Sequence, residues 1–421
     1  MGRSAAAAAV LLATVASGGF QCAAPWDDVC PPAGIPGDPA CGPYAPPLPP
    51  GADLLDVRRR LVAALFGGAG ELPTRGADAV LPVPGGGTGA NRGCWCATLG
   101  NCAADACAWS SNASQVVFSV AAPLPNGSAL VLNSTAWWTR NTSGVAPSTY
   151  IGEFGPPAFP SLPQPATRNS DVLVVWHQGH NAPCEIPGGD PDYDGVVDYI
   201  NQLGYDVLNL HMPTFQLNAA APPFACNHSA FAPLEAAGVP VFRFFLEPVV
   251  RAVNFALEQG YARVAMAGLS GGGWSTALAA AIDPRIQLSV PVAGSLPCDF
   301  RHTSWDFEQQ CSRPWAAVAN YSTLYALAAL EPERASVQVL HEQDPCCFHG
   351  CGRHDRIRAY NADVAAAAAG LFQTVVTTGN VHEVNPRDRV VLAALLDRLR
   401  VSGRLLPEDV RRLPFNTLEE W

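Results

Sequence analysis

The chain has 421 residues, 48% of them hydrophobic, and its 25 basic against 36 acidic residues give a formal net charge of −11 and a pI near 5.2. That length and apolar content allow one large domain or two ordinary ones around a sizeable core. The acidic balance excludes nucleic acid and anionic membrane surfaces as electrostatic partners, because both attract positive charge.

Residues 1–21 begin Met1-Gly2-Arg3-Ser4 and continue as an apolar run from Ala5 to Ala16, followed by the small residues Ser17-Gly18-Gly19. This is the order of a secretory signal peptide, and the run is too short to span a bilayer. The 14 cysteines and the Asn-x-Ser/Thr sequons at Asn112, Asn126, Asn133, Asn141, Asn227 and Asn320 point to the same pathway. No later apolar run of about 18 residues follows, and the tail Asn416–Trp421 resembles neither an anchor nor a retention signal. The expected location is the lumen or the cell exterior, with no membrane span.

Residues 22–110 read as a Cys/Pro-rich extension, and from Phe20 to Gly51 the Pro and Gly content opposes helices and central strands. A short helix is expected over Asp53–Phe66, closed by Gly67 and Gly68, with Arg58–Arg60 on a solvated face. Cys94, Cys96, Cys102 and Cys107 have a spacing that suits metal or disulfides; a secreted context favours disulfides, with the pairing open.

Residues 111–421 carry the regular pattern. Gln115–Pro123 and Ala129–Trp138 predict two strands joined by the Pro125-Asn126-Gly127-Ser128 turn. Strands are then expected over 171–179, 205–213, 262–268, 286–294, 336–343 and 373–379, and helices over 194–204, 246–260, 273–282, 362–372 and 388–400. Wholly apolar strands alternating with helices imply an α/β fold, a mostly parallel sheet covered on both faces. The working site of such a sheet lies at the carboxyl ends of its strands.

Ser270 stands at one such strand-to-helix junction, in Gly268-Leu269-Ser270-Gly271-Gly272, a G-x-S-x-G pattern. The turn is so sharp that side chains two before and two after the serine would collide, a demand met by Gly268 and Gly272. The alternative is a plain connecting turn. A serine hydroxyl needs a base to take its proton and a carboxylate to orient that base. His382, between the last strand and the last helix, is the best-placed base among nine histidines. Asp344, just past the strand before, is the expected carboxylate, with Glu342 and Asp355 as competitors and an Asp-Pro turn as its structural alternative.

The order Ser270, Asp344, His382, the strand-elbow-helix around Ser270 and the alternation from about Gln115 to Arg400 resemble the α/β-hydrolase superfamily over roughly two thirds of the chain. The resemblance implies an acyl-enzyme route in which Ser270 attacks a carbonyl, His382 shuttles the proton and Asp344 holds the imidazole. It also implies an oxyanion hole with the Gly271 N–H as one donor. The second donor would come from His177-Gln178-Gly179-His180-Asn181, as the N–H of Gly179 or of His180, with His180 preferred; the segment departs from the family's His-Gly form by the inserted Gln178.

Cys346, Cys347, Cys351, His349 and His354 crowd one loop, where an even cysteine count in a secreted chain favours disulfide over zinc. Cys184 and Cys226 are candidates to pair, and Cys298 and Cys311 bracket a closed loop. That loop belongs to a short lid-like insertion, 295–332, whose Trp305, Phe307, Trp315 and Tyr321 are either core or pocket lining. Arg301 there is a carboxylate binder or a plain surface arginine.

The expected function is that of a secreted serine hydrolase cleaving a carboxylic ester or related acyl bond, on a small-molecule or polymer-borne substrate. Alternatives are a serine peptidase or amidase with the same three residues, a non-catalytic binding module of the same fold, and a redox or metal protein built on the cysteines. No residue pattern identifies a cofactor or an oligomeric state.

Overall fold

The computed structural model describes residues 52–68, 70–82, 113–140, 169–180, 195–300, 306–346, 348 and 354–413. The expected signal peptide, the Cys94–Cys107 cluster, Asn112, Asn141, Asn181, Cys184, Arg301, Trp305, Cys347, His349 and Cys351 lie outside the described residues.

Among the described residues, nine strands form one sheet: β1 Ala79–Pro82, β2 Ala113–Pro123, β3 Ala129–Thr139, β4 Asn169–Gln178, β5 Tyr205–His211, β6 Arg263–Leu269, β7 Ile286–Val292, β8 Ala335–His341 and β9 Leu371–Thr377. Their order is β1-β2-β3-β5-β4-β6-β7-β8-β9. The pairings from β5 to β9 are parallel, and β1, β2 and β3 form an antiparallel meander against β5. The main helices are α1 Leu54–Phe66, α2 Val196–Gln202, α3 Arg243–Glu258, α4 Gly271–Ile282, α5 Tyr321–Ala328, α6 His354–Ala367 and α7 Pro386–Ser402. Among the described residues, no helix is long and apolar enough to cross a membrane.

The wholly apolar strands are buried on both faces because the pleat sends successive side chains to opposite sides. Along β4, Val172, Val174 and Trp176 enter one core while Leu173 and Val175 enter another. The β2–β3 hairpin turns where expected, through Gly127 at φ 83°.

Arg58 is buried, not solvated: its guanidinium donates to the carbonyls of Ala281 at 2.9 Å and Leu327 at 2.8 Å and pairs with Glu331. It thereby satisfies carbonyls at the carboxyl ends of α4 and α5, where backbone oxygens lack intrahelical donors. Arg59 and Arg60 remain outside and pair with Asp56.

Helix α6 runs from His354 to Ala367 rather than over 362–372. The alanine run carries no outward mark of where the helix stops. Leu371 and Phe372 instead open β9, opposite Ala335 and Ser336 of β8. Gly370 permits the change of direction, since a Cβ there would lie 2.3 Å from the Glu331 carbonyl oxygen.

In the insertion, Cys298 and Cys311 form a disulfide, and Phe307, Trp315 and Tyr321 are core residues. Cys226 and Cys346 are disulfide-bonded as well.

Candidate active site

Ser270 occupies the single residue between β6 and α4, with φ 55° and ψ −122°. A positive φ on a residue with a side chain costs about 1–3 kcal/mol and persists only where the surroundings enforce it. Here the Ser270 N–H donates to the Val292 carbonyl at 3.0 Å, and the Ser270 carbonyl accepts from Trp274 N–H at 2.9 Å. The flanking glycines allow the close approach: a Cβ on Gly268 would lie 2.6 Å from the Gly272 carbonyl, and one on Gly272 would lie 1.9 Å from the His177 carbonyl oxygen.

Asp344 and His382 meet at the same edge of the sheet, past the carboxyl ends of β8 and β9. His382 Nδ1–H donates to Asp344 Oδ2 at 2.9 Å, with Oδ1 at 3.1 Å. Phe348 lies nearly parallel to the imidazole, ring centroids 6.2 Å apart. Burial alone would raise the Asp344 carboxyl. The His382 hydrogen bond and charge, the Cys346 N–H at 2.7 Å and the charge of His341 outweigh it and hold the group below the ordinary aspartate value. Of the competitors, Asp355 is exposed and pairs with Arg358, and Glu342 is half-buried; His382's carboxylate partner is Asp344.

His341 is the last residue of β8. Its Nδ1–H donates to the Val381 carbonyl at 3.0 Å and its Nε2–H to Asp388 Oδ2 at 2.8 Å. Asp388 also accepts from Thr377 Oγ1 at 2.7 Å and from Asn385 N–H at 2.9 Å, closing the capping box of α7. The buried ring thus joins the strand leading to Asp344 to the loop carrying His382. The sequence signal was a histidine ending an apolar strand, three residues before the carboxylate.

Both ring nitrogens of His341 face acceptors, so the imidazolium is the form these contacts suit. Burial lowers its pKa, yet the Asp388 bond and charge, the Asp344 charge and the Val381 carbonyl together outweigh burial and leave the pKa raised above 6.5. The native state therefore binds more protons than the unfolded chain just above that value, and stability falls as pH rises. His341's contribution should be complete below pH about 6.5 and lost as pH climbs through its folded pKa. In thermal melts across that range, the deficit of His341→Asn relative to wild type should shrink with rising pH; a pH-independent deficit would refute this.

The loop after β4 abuts the elbow. A Cβ on Gly179 would lie 3.0 Å from Ser270 Cβ and 3.1 Å from Gly271 N, so its backbone lies against both. The His180 ring packs over Gly271, where a Cβ would lie 2.6 Å from its Nδ1 and Cε1. His180 Nε2 turns away to His228 Nδ1 at 3.1 Å and to Glu308 Oε1 at 3.2 Å. Burial alone would raise the Glu308 carboxyl, but the two imidazoles lower it well below the ordinary glutamate value. His177 is also buried, and desolvation lowers its pKa to about 3. Neither His228 nor Glu308 was singled out in the sequence, because neither lies near His180 along the chain.

Fold and site together define a mostly parallel α/β protein with a strained serine elbow and a histidine–aspartate pair at the carboxyl ends of its strands. No protein-family model and no curated protein matches the chain. Among solved structures it is similar to Est1E from Butyrivibrio proteoclasticus, at 12% identity and TM-score 0.38, covering 68% of this chain and 99% of that one. It is also similar to an acetyl xylan esterase from Paenibacillus sp. R4, at 14% identity and TM-score 0.38, covering 69% of this chain and 84% of that one. A third is an acylaminoacyl peptidase from Pyrococcus horikoshii, at 11% identity and TM-score 0.43, covering 71% of this chain and 43% of that one.

Proposed function

We propose that the protein is a serine hydrolase that cleaves a carboxylic ester or related acyl bond through Ser270, His382 and Asp344. The observation that carries this reading is the strained Ser270 elbow on the sheet edge that also holds the His382–Asp344 pair. With Nδ1 committed to Asp344, His382 has Nε2 to take the serine proton as Ser270 Oγ attacks the carbonyl. The Gly271 N–H and an N–H from Gly179 or His180 hold the developing oxyanion, each such donor contributing about 3 kcal/mol. His382 then protonates the leaving alcohol, and water, deprotonated by the same imidazole, releases the acid from Ser270.

We also read the protein as secreted and glycosylated. The Cys298–Cys311 disulfide and the exposed sequon asparagines Asn126, Asn133 and Asn227 support this reading. Asn320, whose side chain caps α5 by accepting from Thr323 N–H at 2.8 Å, is the sequon least suited to carry a glycan.

A fluorophosphonate, which phosphonylates serines activated by a base, tests the proposal directly. Peptide mapping of the treated full chain should find one adduct, on Ser270, absent in His382→Ala. A folded protein that takes no adduct would overturn it.

A further inference from the structure

Behind the elbow, three segments distant in sequence bring their ligating atoms together. The loop after β4 supplies His180 Nε2, the segment following β5 supplies His228 Nδ1 and the insertion supplies the Glu308 carboxylate. His228 Nδ1 is 2.9 Å from Glu308 Oε2, His180 Nε2 is 3.2 Å from Glu308 Oε1, and the two ring nitrogens are 3.1 Å apart. Ligands at about 2.0 Å from a tetrahedral centre stand about 3.3 Å from one another, so these separations are close to the edges of a zinc-type polyhedron.

The surroundings suit a cation. Glu308 is fully buried, and Phe215 and Phe245 wall the cluster, their centroids 4.9 Å and 4.8 Å from that of His228. A carboxylate in such a place needs compensating charge. His228 Nε2–H donates to the Pro213 carbonyl at 2.8 Å, which leaves the Nδ1 lone pair for a ligand in the neutral ring, the outer contact that metal-binding histidines commonly make. Without a cation, the 2.9 Å contact of His228 Nδ1 with Glu308 Oε2 needs a proton on one of the two atoms, and the His180 Nε2 that also reaches Glu308 is crowded against Nδ1, 3.1 Å away. A central cation would attract the lone pairs of all three groups at once.

We propose that His180, His228 and Glu308 form a binding site for a divalent transition-metal ion of the zinc class, with water completing the coordination. No such site was legible in the sequence, where zinc was weighed only for the cysteine-rich segments. A second cluster, Asp344, Cys346 and His382, is not equivalent, because Cys346 is held in a disulfide and His382 is bonded to Asp344. The metal would hold Nε2 of the ring whose other side lies on Gly271, and so fix the loop next to the elbow. That consequence rests on the hydrolase reading; metal binding itself does not.

The full chain, stripped with a chelator, is titrated with Co²⁺ and then Zn²⁺. We expect about one equivalent of Co²⁺ to bind with the visible absorption of a four- or five-coordinate nitrogen/oxygen site, and about one equivalent of Zn²⁺ to displace it. Glu308→Gln and His228→Ala should each weaken binding by about tenfold or more. On the wild type alone, Zn²⁺ should protect His180 from diethylpyrocarbonate, read by peptide mapping, so the test survives a variant that fails to fold. Negligible uptake by the wild type, uptake undiminished in both folded variants, or an unprotected His180 would overturn the site. Fluorophosphonate labelling of the same samples separates the two proposals: Ser270 labelled without metal uptake removes only the metal site, and metal uptake without a label removes only the hydrolase.

Discussion

Ser270→Ala is expected to lower the turnover of an activated ester by about 10⁶-fold, because nucleophile, base and orienting carboxylate act as a unit and the loss of the nucleophile abolishes the covalent route. What remains should be the modest acceleration that binding and the oxyanion donors give to direct attack by water. The fold should survive. The elbow is held by backbone contacts, from Ser270 N–H to the Val292 carbonyl and from Trp274 N–H to the Ser270 carbonyl, and alanine keeps both. Alanine also keeps the unfavourable φ of 55°, so the melting midpoint should hardly move. Steady-state rates with a p-nitrophenyl ester beside a thermal melt give both readouts. Turnover at the wild-type level in the variant would remove Ser270 from the chemistry.

Asp344→Asn should cost about 10⁴-fold in kcat while leaving KM for the ester within a few-fold, on the pattern seen when a triad carboxylate elsewhere becomes an amide. The geometry gives the reason. His382 Nδ1–H donates to the carboxylate at 2.9 Å, a bond that in the proposed mechanism leaves Nε2 to accept the serine proton. An asparagine turned to offer its NH₂ group would require the opposite tautomer and would remove the charge that stabilises the imidazolium. Glu342→Gln and Asp355→Asn should stay within about tenfold of wild type, since neither carboxylate is His382's partner. A large loss in either, with Asp344→Asn still active, would move the carboxylate role away from Asp344.

The sequence by itself determined the parts of this protein that are encoded locally. Wholly apolar strands alternating with helices implied a mostly parallel sheet buried on both faces, and Pro125-Asn126-Gly127-Ser128 marked the hairpin. Gly268 and Gly272 around Ser270 marked a turn too tight for side chains. Each is a matter of residue type and period over a short span, where the backbone's steric limits and the pleat leave few alternatives. The end of α6 escaped because alanine favours helix whether or not a strand must begin, and pairing with β8 decided the matter at Leu371.

Tertiary structure decided whatever depends on partners from distant segments. Arg58 reads as one of three like charges until the carboxyl ends of α4 and α5 close around it. His341 becomes a tether only when the loop after β9 and helix α7 bring Val381 and Asp388 to its two nitrogens. His180 was picked out for its backbone, yet its side chain belongs with His228 and Glu308. Burial removes water as a partner, so each of these polar groups must find its partner in the protein, and the fold determines which partner is within reach.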